Sequence, residues 1–354
     1  MTTVAGPERV LRSRRSIPGW LALDLMLVGV IVVLLIVGQL SVRGFLQPAN
    51  VRVVLMACVV TGLLALAQAL ALIVREIDLA LGATLVAAPL LAVHSADQIT
   101  YALTGRGLLV GLTGGVTGGW WMIIGLTVML SVGIGVVMGV IIAYLNVPSF
   151  VVTIGMSFIL IGTGYVISQG TPISFQTVEE SQFVGNTFIA NLVPWSFICF
   201  LMVALVLSFF INWTKLGPRL YATGGNTRAA ALSGVDTRLW CVFAYAIAGA
   251  IVAIAAILNM SRMQGVDVGQ NANFALQSIV IAILGGVGVR GGEGRVSGVV
   301  LATIAFTLLL QILSSFGFNY YAQMAVTGFV VLVFTAVSKR ADSQRLRHMK
   351  KIEV

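Results

Sequence analysis

The stretch TKLGPRLYATGGNTRAAALSGVDTR, residues 214–238, is polar and basic and lies between two apolar runs, 193–213 and 239–260. Each run has about the 20 residues that a helix needs to cross a bilayer. Within the stretch, Asn226 or Thr227 can accept hydrogen bonds from the first free N–H groups of a helix, three alanines favour helix, and Gly234 can end it. So short a helix is not stable alone in water, and we expect it to lie on a partner protein. The residues of this segment are Gly224, Gly225, Asn226, Thr227, Arg228, Ala229, Ala230, Leu232, Ser233 and Gly234.

Composition assigns the chain to the integral membrane proteins. Hydrophobic residues make up 58% of its 354 residues and charged residues only 9%, whereas about a quarter of a soluble globule is charged. The apolar runs are continuous, which is typical of membrane helices and not of the alternating strands of a membrane barrel. We expect an all-α protein with about ten transmembrane helices, of which the third and eighth are short and could be tilted, broken or re-entrant. The predicted spans are 20–40, 51–74, 79–95, 121–145, 149–168, 193–213, 239–260, 273–289, 296–315 and 320–338.

The net charge of +9 is distributed by topology and does not indicate nucleic-acid binding. With ten spans and a cytoplasmic N-terminus, 17 of the 21 Lys and Arg residues fall on the inside, as the positive-inside rule requires. We therefore expect a cytoplasmic tail at 1–19, one membrane domain at 20–338 with a cytoplasmic loop at 214–238, and a basic cytoplasmic tail at 339–354 near the lipid headgroups.

The chain lacks the residues that catalysis or ion coupling would need. No Walker A motif is present, and the GxGxxG match at 286–291 precedes another apolar span, which favours a tight turn over a dinucleotide site. The spans are nearly free of ionisable residues: Asp24 lies near the inner end of the first span, and Glu76 and Asp78 lie in the short connection between the second and third. Ion-driven carriers, in contrast, keep charged residues inside the membrane. We expect no catalytic residue, metal or bound cofactor in this chain, so the energy for any transport must come from elsewhere.

Polar residues inside the spans are candidates for a solute path, because uncharged donors and acceptors suit sugar hydroxyl groups. Hydrogen bonds between helices would explain each of them equally well. Together with Asp78, the candidates are Gln68, Thr153, Ser157, Asn259, Gln277 and Gln311.

Four segments give a specific resemblance, which covers about 51–337. They are Ile77–Gly82 (IDLALG), Pro148–Gly155 (PSFVVTIG), the Gly224–Gly234 segment, and the glycines at 285, 286, 291, 292, 294 and 298. In combination they resemble the permease subunits of bacterial ATP-binding-cassette importers for ribose, xylose, galactose and related small polyols. The chain departs from that pattern at Arg75-Glu76, where the family usually has two glycines, at Ala80, and at Arg228, where it commonly has Glu.

The resemblance implies a type II importer-like helix bundle in the bacterial cytoplasmic membrane that passes a small neutral sugar or polyol by alternating access. It also implies that the short helix couples to a cytoplasmic ATPase subunit that binds the ATP. A second permease subunit and an extracytoplasmic solute-binding protein are the other expected partners. An ion-coupled secondary sugar carrier is the alternative, and a membrane enzyme or scaffold is a third class.

Overall fold

The protein is an all-α membrane protein, as the sequence predicts. The computed structural model describes residues 19–105, 119–174, 185–271, 274–330 and 332, so the predicted tails lie outside the described residues, apart from Gly19. The helices are α1 Gly19–Ser41, α2 Pro48–Ile73, α3 Leu81–Thr104, α4 Gly119–Leu145, α5 Ser149–Ser168, α6 Trp195–Trp213, α7 Leu216–Gly225, α8 Thr227–Leu232, α9 Thr237–Met263, α10 Phe274–Leu284 and α11 Val296–Ser315. A further helical stretch covers 320–330.

Two small antiparallel pairings join loops on the side of the bundle away from α7 and α8. β1 (Ile173–Ser174) pairs with β4 (Gly265–Val266), and β2 (Phe188–Ile189) pairs with β3 (Val193–Pro194). A 3-10 turn, Val268–Asn271, follows β4.

Seven helices in the described part of the chain are long and apolar enough to span a membrane, namely α1, α2, α4, α5, α6, α9 and α11. The short eighth span is confirmed, because α10 has only 11 residues. The third predicted span is also short as an apolar run, because α3 is not among these seven helices, but the helix extends beyond that run. Helix α3 has 24 residues and continues through Pro89 and beyond its apolar run until Gly105, which adopts φ 68° and ends it. Alanine, leucine and glutamine sustain the helix there although hydropathy no longer marks it.

Helix α2 forms the centre of the bundle. Its most apolar window is 72% buried, whereas that of α1 is 11% buried and leaves α1 at the periphery. Helices α6, α9, α10 and α11 all pack against α2.

Helices α4 and α9 approach closely through glycines. A Cβ at Gly135 would overlap the Tyr245 carbonyl oxygen, and one at Gly139 would lie 2.8 Å from the Val242 Cα. On the opposite helix, a Cβ at Gly249 would lie 2.5 Å from the Ser131 carbonyl oxygen. Lipid offers no hydrophobic drive between helices, so close van der Waals contact of this kind stabilises the pair.

Candidate functional site

The polar loop between α6 and α9 folds into two helices. Asn226 separates them, and its side-chain oxygen accepts a 3.0 Å hydrogen bond from the Ala229 N–H, so it caps α8 as predicted. Gly234 adopts φ 82° just after α8 ends, which confirms the predicted stop. Helix α7 was not predicted from the sequence. The sequence signal for this helix was Pro218, because proline is favoured in the first turn of a helix, where its missing N–H would have had no partner within the helix.

Helix α8 presents most of its surface to solvent. Within α8, which the structure describes in full, Ala230 alone is buried. Arg228 is exposed, and the Leu232 side chain is 85% exposed. The two residues are four positions apart, so they lie on the same face of α8.

Helix α7 is anchored by its glycine end to the end of α2. A Cβ at Gly224 would overlap the carbonyl oxygen of Ile73, the last residue of α2. The Tyr221 hydroxyl donates a 2.7 Å hydrogen bond to the Gly294 carbonyl, and burial raises the pKa of the Tyr221 phenol, which keeps this donor protonated. The end of α7 is therefore in direct backbone contact with the end of α2.

The glycine-rich segment at 285–295 is the tight turn that the sequence predicts. Gly286, Gly291 and Gly292 adopt φ between 75° and 82°, which only glycine adopts without strain. The Gly292 N–H donates a 2.8 Å hydrogen bond to the Ile73 carbonyl, and a Cβ at Gly291 would lie 2.6 Å from that of Arg75. The turn thus packs on both α2 and α7.

Arg75 adopts φ 70°, the left-handed conformation, although it is not a glycine. This is one of the positions where the resembling family usually has glycine. An arginine in this conformation costs about 1–2 kcal/mol.

Residues 74–80, the connector between α2 and α3, are held by polar side chains from three helices. The Gln68 amide, oriented to satisfy both partners, donates to the Asp78 carbonyl at 2.7 Å and accepts from the Asp78 N–H at 3.3 Å. The Thr153 hydroxyl of α5 lies 3.4 Å from the Ile77 carbonyl, as does the Tyr245 hydroxyl of α9. Three predicted path residues, Gln68, Asp78 and Thr153, thus meet at the connector.

Asp78 is 1% exposed, and one of its carboxyl oxygens accepts a 2.8 Å hydrogen bond from the Ala80 N–H at the start of α3. Burial raises the pKa of Asp78 to about 7, and the bond from Ala80 opposes this rise. Burial also raises the pKa of Glu76, while Ser149 and Arg75 oppose this rise.

We call the connector, α7, α8 and the turn at 285–295 the junction.

A second polar region lies at the opposite end of α9. We call it the distal cavity; its volume is about 500 Å³. A guanidinium nitrogen of Arg262 lies 3.5 Å from the Asn259 side-chain oxygen. The lining includes two aromatic rings, two charged side chains and one amide, from Phe274, Tyr320, Arg262, Asp267 and Gln277.

The remaining path candidates lie elsewhere. Gln311 donates a 2.6 Å hydrogen bond to Asn50 and thereby joins α11 to α2. Ser157 lies half-buried on α5. The seven candidates therefore do not line one continuous surface.

Comparison with known proteins places the chain among transport permeases. Residues 50–335 match the family described as branched-chain amino acid transport system / permease component. The ribose import permease of Escherichia coli K12 is 26% identical over 323 residues, which cover 91% of this chain and 95% of that protein. The galactose/methyl galactoside import permease of Haemophilus influenzae is 32% identical over 209 residues, or 58% and 62% of the two chains.

The D-allose transport system permease of Escherichia coli K12 is 25% identical over 311 residues, which cover 87% of this chain and 89% of that protein. The match to the family extends from the start of α2 beyond α11 and includes the whole junction. The chain therefore belongs to this family of transport-system permease components, and it resembles the three monosaccharide permeases named above.

Proposed function

We propose that this chain is the membrane-spanning subunit of an ATP-driven importer that passes a small neutral sugar or polyol by alternating access. The observation that carries this proposal is the junction. An exposed short helix is joined through α7 to the end of α2, which is the most buried of the spans in the described chain. Such an arrangement suits a helix that receives a movement from outside the membrane.

Docking of an ATPase subunit on α8 supplies that movement. Leu232 and Arg228 form the contact surface, and the close packing of Gly224 on Ile73 leaves α7 no freedom to slip against α2. A displacement of α8 and α7 therefore moves the end of α2 and the adjoining connector. Closely packed interfaces shift as units. The displacement therefore continues from the connector into α5 and α9, because the Thr153 and Tyr245 hydroxyls contact the Ile77 carbonyl.

A cavity of about 430 Å³ beside the junction supports this proposal. It lies between α8, the connector and the start of α9, and its lining includes Ala231, Glu76 and Thr237. The space lets α8 tilt toward the connector without a clash. Thr227 and Ala231 are the residues of α8 that line it.

The distal cavity is the proposed entry for the solute. Its two rings can stack on a sugar face, and Gln277 and Arg262 can bind hydroxyl groups. The names of the relatives favour ribose, galactose or allose over the amino acids in the family description. In the proposed assembly, an extracytoplasmic binding protein delivers the solute and a second permease subunit pairs with this chain. Both termini lie in the cytoplasm, and the partner ATPase binds the ATP.

Uptake of labelled ribose, galactose and allose into proteoliposomes tests the proposal. The tagged chain is purified with any copurifying ATPase and reconstituted with or without ATP. Accumulation that requires ATP supports the proposal. Accumulation driven by an ion gradient without ATP would instead establish the secondary-carrier alternative. Ala230→Asp, which places a charge at the buried position of α8, is expected to leave ATP hydrolysis without uptake.

A further inference from the structure

A groove separates α6 from α9 on the outside of the bundle. Its volume is about 530 Å³, and all the side chains along it are apolar. Helix α2 packs against both α6 and α9, and α7 contacts both of them at one end. The walls are formed by Met202, Val206 and Phe210 of α6 and by Phe243, Ile247 and Ile254 of α9.

Two exposed cations flank the end of the groove that α7 closes. Leu216 lines the groove at this end, and Lys215 directly precedes it. The Arg219 guanidinium lies 5.3 Å from the ring centre of Trp240. Trp240 in turn packs edge-on against Phe243, which lines the groove, with 5.3 Å between ring centres. Both cations are therefore adjacent to the apolar surface.

The chemistry of the groove selects its occupant. Without a hydrogen-bonding side chain along it, the groove offers nothing to a sugar or a peptide backbone, but an alkyl chain would regain the van der Waals contacts that an empty groove lacks. At the closed end, Lys215 and Arg219 complement a negative charge. Trp213, 81% exposed beside them, is a residue type that marks the headgroup level of a membrane.

We propose that an anionic phospholipid binds here, with an acyl chain between α6 and α9 and its phosphate held by Lys215 and Arg219. The bound lipid braces the first turn of α7, the helix whose other end packs on Ile73. Lipid composition would then influence coupling at the junction. That last consequence rests on the proposed function, whereas lipid binding itself does not.

The test is native mass spectrometry of the purified full chain in detergent, titrated with phosphatidylglycerol or phosphatidylcholine. The wild type is expected to retain phosphatidylglycerol in preference to phosphatidylcholine. Lys215→Gln with Arg219→Gln should weaken phosphatidylglycerol retention about 25-fold, since each cation near a headgroup contributes about fivefold. Both side chains are exposed, so the double variant should keep its melting temperature.

The matched control is Arg238→Gln. Arg238 is also exposed and also lies over an aromatic ring, at 5.9 Å from the Tyr144 centre, but it does not border the groove. It should retain phosphatidylglycerol as the wild type does. Equal losses in the control and the double variant would mean unspecific charge attraction and would overturn the proposal, as would unchanged retention in the double variant.

Ala250→Trp tests the groove itself. The indole would fill the space beside Ile247 and Ile254, so both phospholipids should be lost while the cations remain. If this variant instead converts dimers to monomers with lipid retention unchanged, a second copy of the chain occupies the groove and the lipid proposal is wrong.

Discussion

The N–H of Gly292 donates a 2.8 Å hydrogen bond to the carbonyl oxygen of Ile73. Ile73 ends α2, so the turn at 285–295 satisfies a carbonyl that the helix itself leaves free. A Cβ at Gly292 would lie 2.5 Å from the Gly225 Cα. The end of α2, the turn and the end of α7 therefore form one contact in which backbone packs directly on backbone.

Gly224→Ala is expected to damage this contact. The added methyl group would overlap the Ile73 carbonyl oxygen, and neither backbone can move without disturbing the turn. Overpacking of this kind costs about 1–3 kcal/mol of stability. The melting temperature of the purified protein should fall, and ATP-dependent uptake should be lost.

Gly225→Ala is the matched control, one residue further along α7. Among the residues that the structure describes, its methyl group would meet only the Gly292 Cα, at an ordinary 3.6 Å. We expect a change within about 0.5 kcal/mol. If both alanine variants behave alike, the packing of Gly224 on Ile73 does not control the junction.

Leu232→Gln tests docking on α8. The side chain is 85% exposed, so the change should leave the stability of the isolated chain almost unaffected. A leucine buried in a partner contributes about 2 kcal/mol when it is a central contact, and its loss weakens binding about 30-fold. ATPase activity that copurifies with the chain should fall accordingly. Val289→Gln, at an exposed position of the turn, should retain that activity; equal loss in both variants would contradict docking through α8.

Arg228→Glu tests the charge of the surface that α8 meets. This chain has Arg228 where the family that it resembles commonly has Glu. We therefore expect the groove of the cognate ATPase to be acidic, and we expect Arg228→Glu to weaken binding most at low salt. Arg290→Glu makes the same change in net charge within the turn and should have a smaller effect. Tighter binding by Arg228→Glu would show that the groove is basic.

The existence and the ends of α8 could be predicted, because the capping residue, the three alanines and the glycine that ends the helix are neighbours in sequence. Asn226 and Gly234 act within one or two turns of the residues that they terminate. The membrane spans could be predicted for the same reason, since hydropathy is a property of each segment.

Helix α7 was missed because its glycines indicate a loop when neighbours alone are considered, and they outweigh the signal of Pro218 near the start of the helix. Gly224 is present because Ile73, about 150 residues earlier in the chain, passes against it. The roles of polar residues inside the spans could not be told apart from the sequence for a related reason. Gln68 and Gln311 look alike in sequence, but one holds the connector and the other joins α11 to α2.

Asp78 should make stability depend on pH. Burial raises its pKa from the ordinary 3.8 to about 7, so the folded protein binds this proton more tightly than the unfolded chain does. The stabilisation is complete below about pH 4 and is lost as the pH rises to about 7, by an amount on the order of 4 kcal/mol. Melting temperatures should fall across this window.

Asp78→Asn should remove most of that pH dependence, because the amide oxygen can still accept the bond from Ala80 but no proton is exchanged. Glu76→Gln is the companion variant, since burial raises the pKa of Glu76 too. It should keep the larger part of the slope. A full slope in Asp78→Asn would assign the titration to another group.

Gln277→Leu and Gln311→Leu separate a solute contact from a structural one. Gln311→Leu leaves the Asn50 side-chain oxygen without its 2.6 Å donor, which should cost about 1–3 kcal/mol of stability. Gln277 lines the distal cavity, so its replacement should keep the melting temperature and raise the half-saturating sugar concentration about tenfold through one lost hydrogen bond. Uptake kinetics and thermal melting of both variants provide the measurement. If Gln277→Leu transports with wild-type kinetics, the solute does not contact the distal cavity at Gln277.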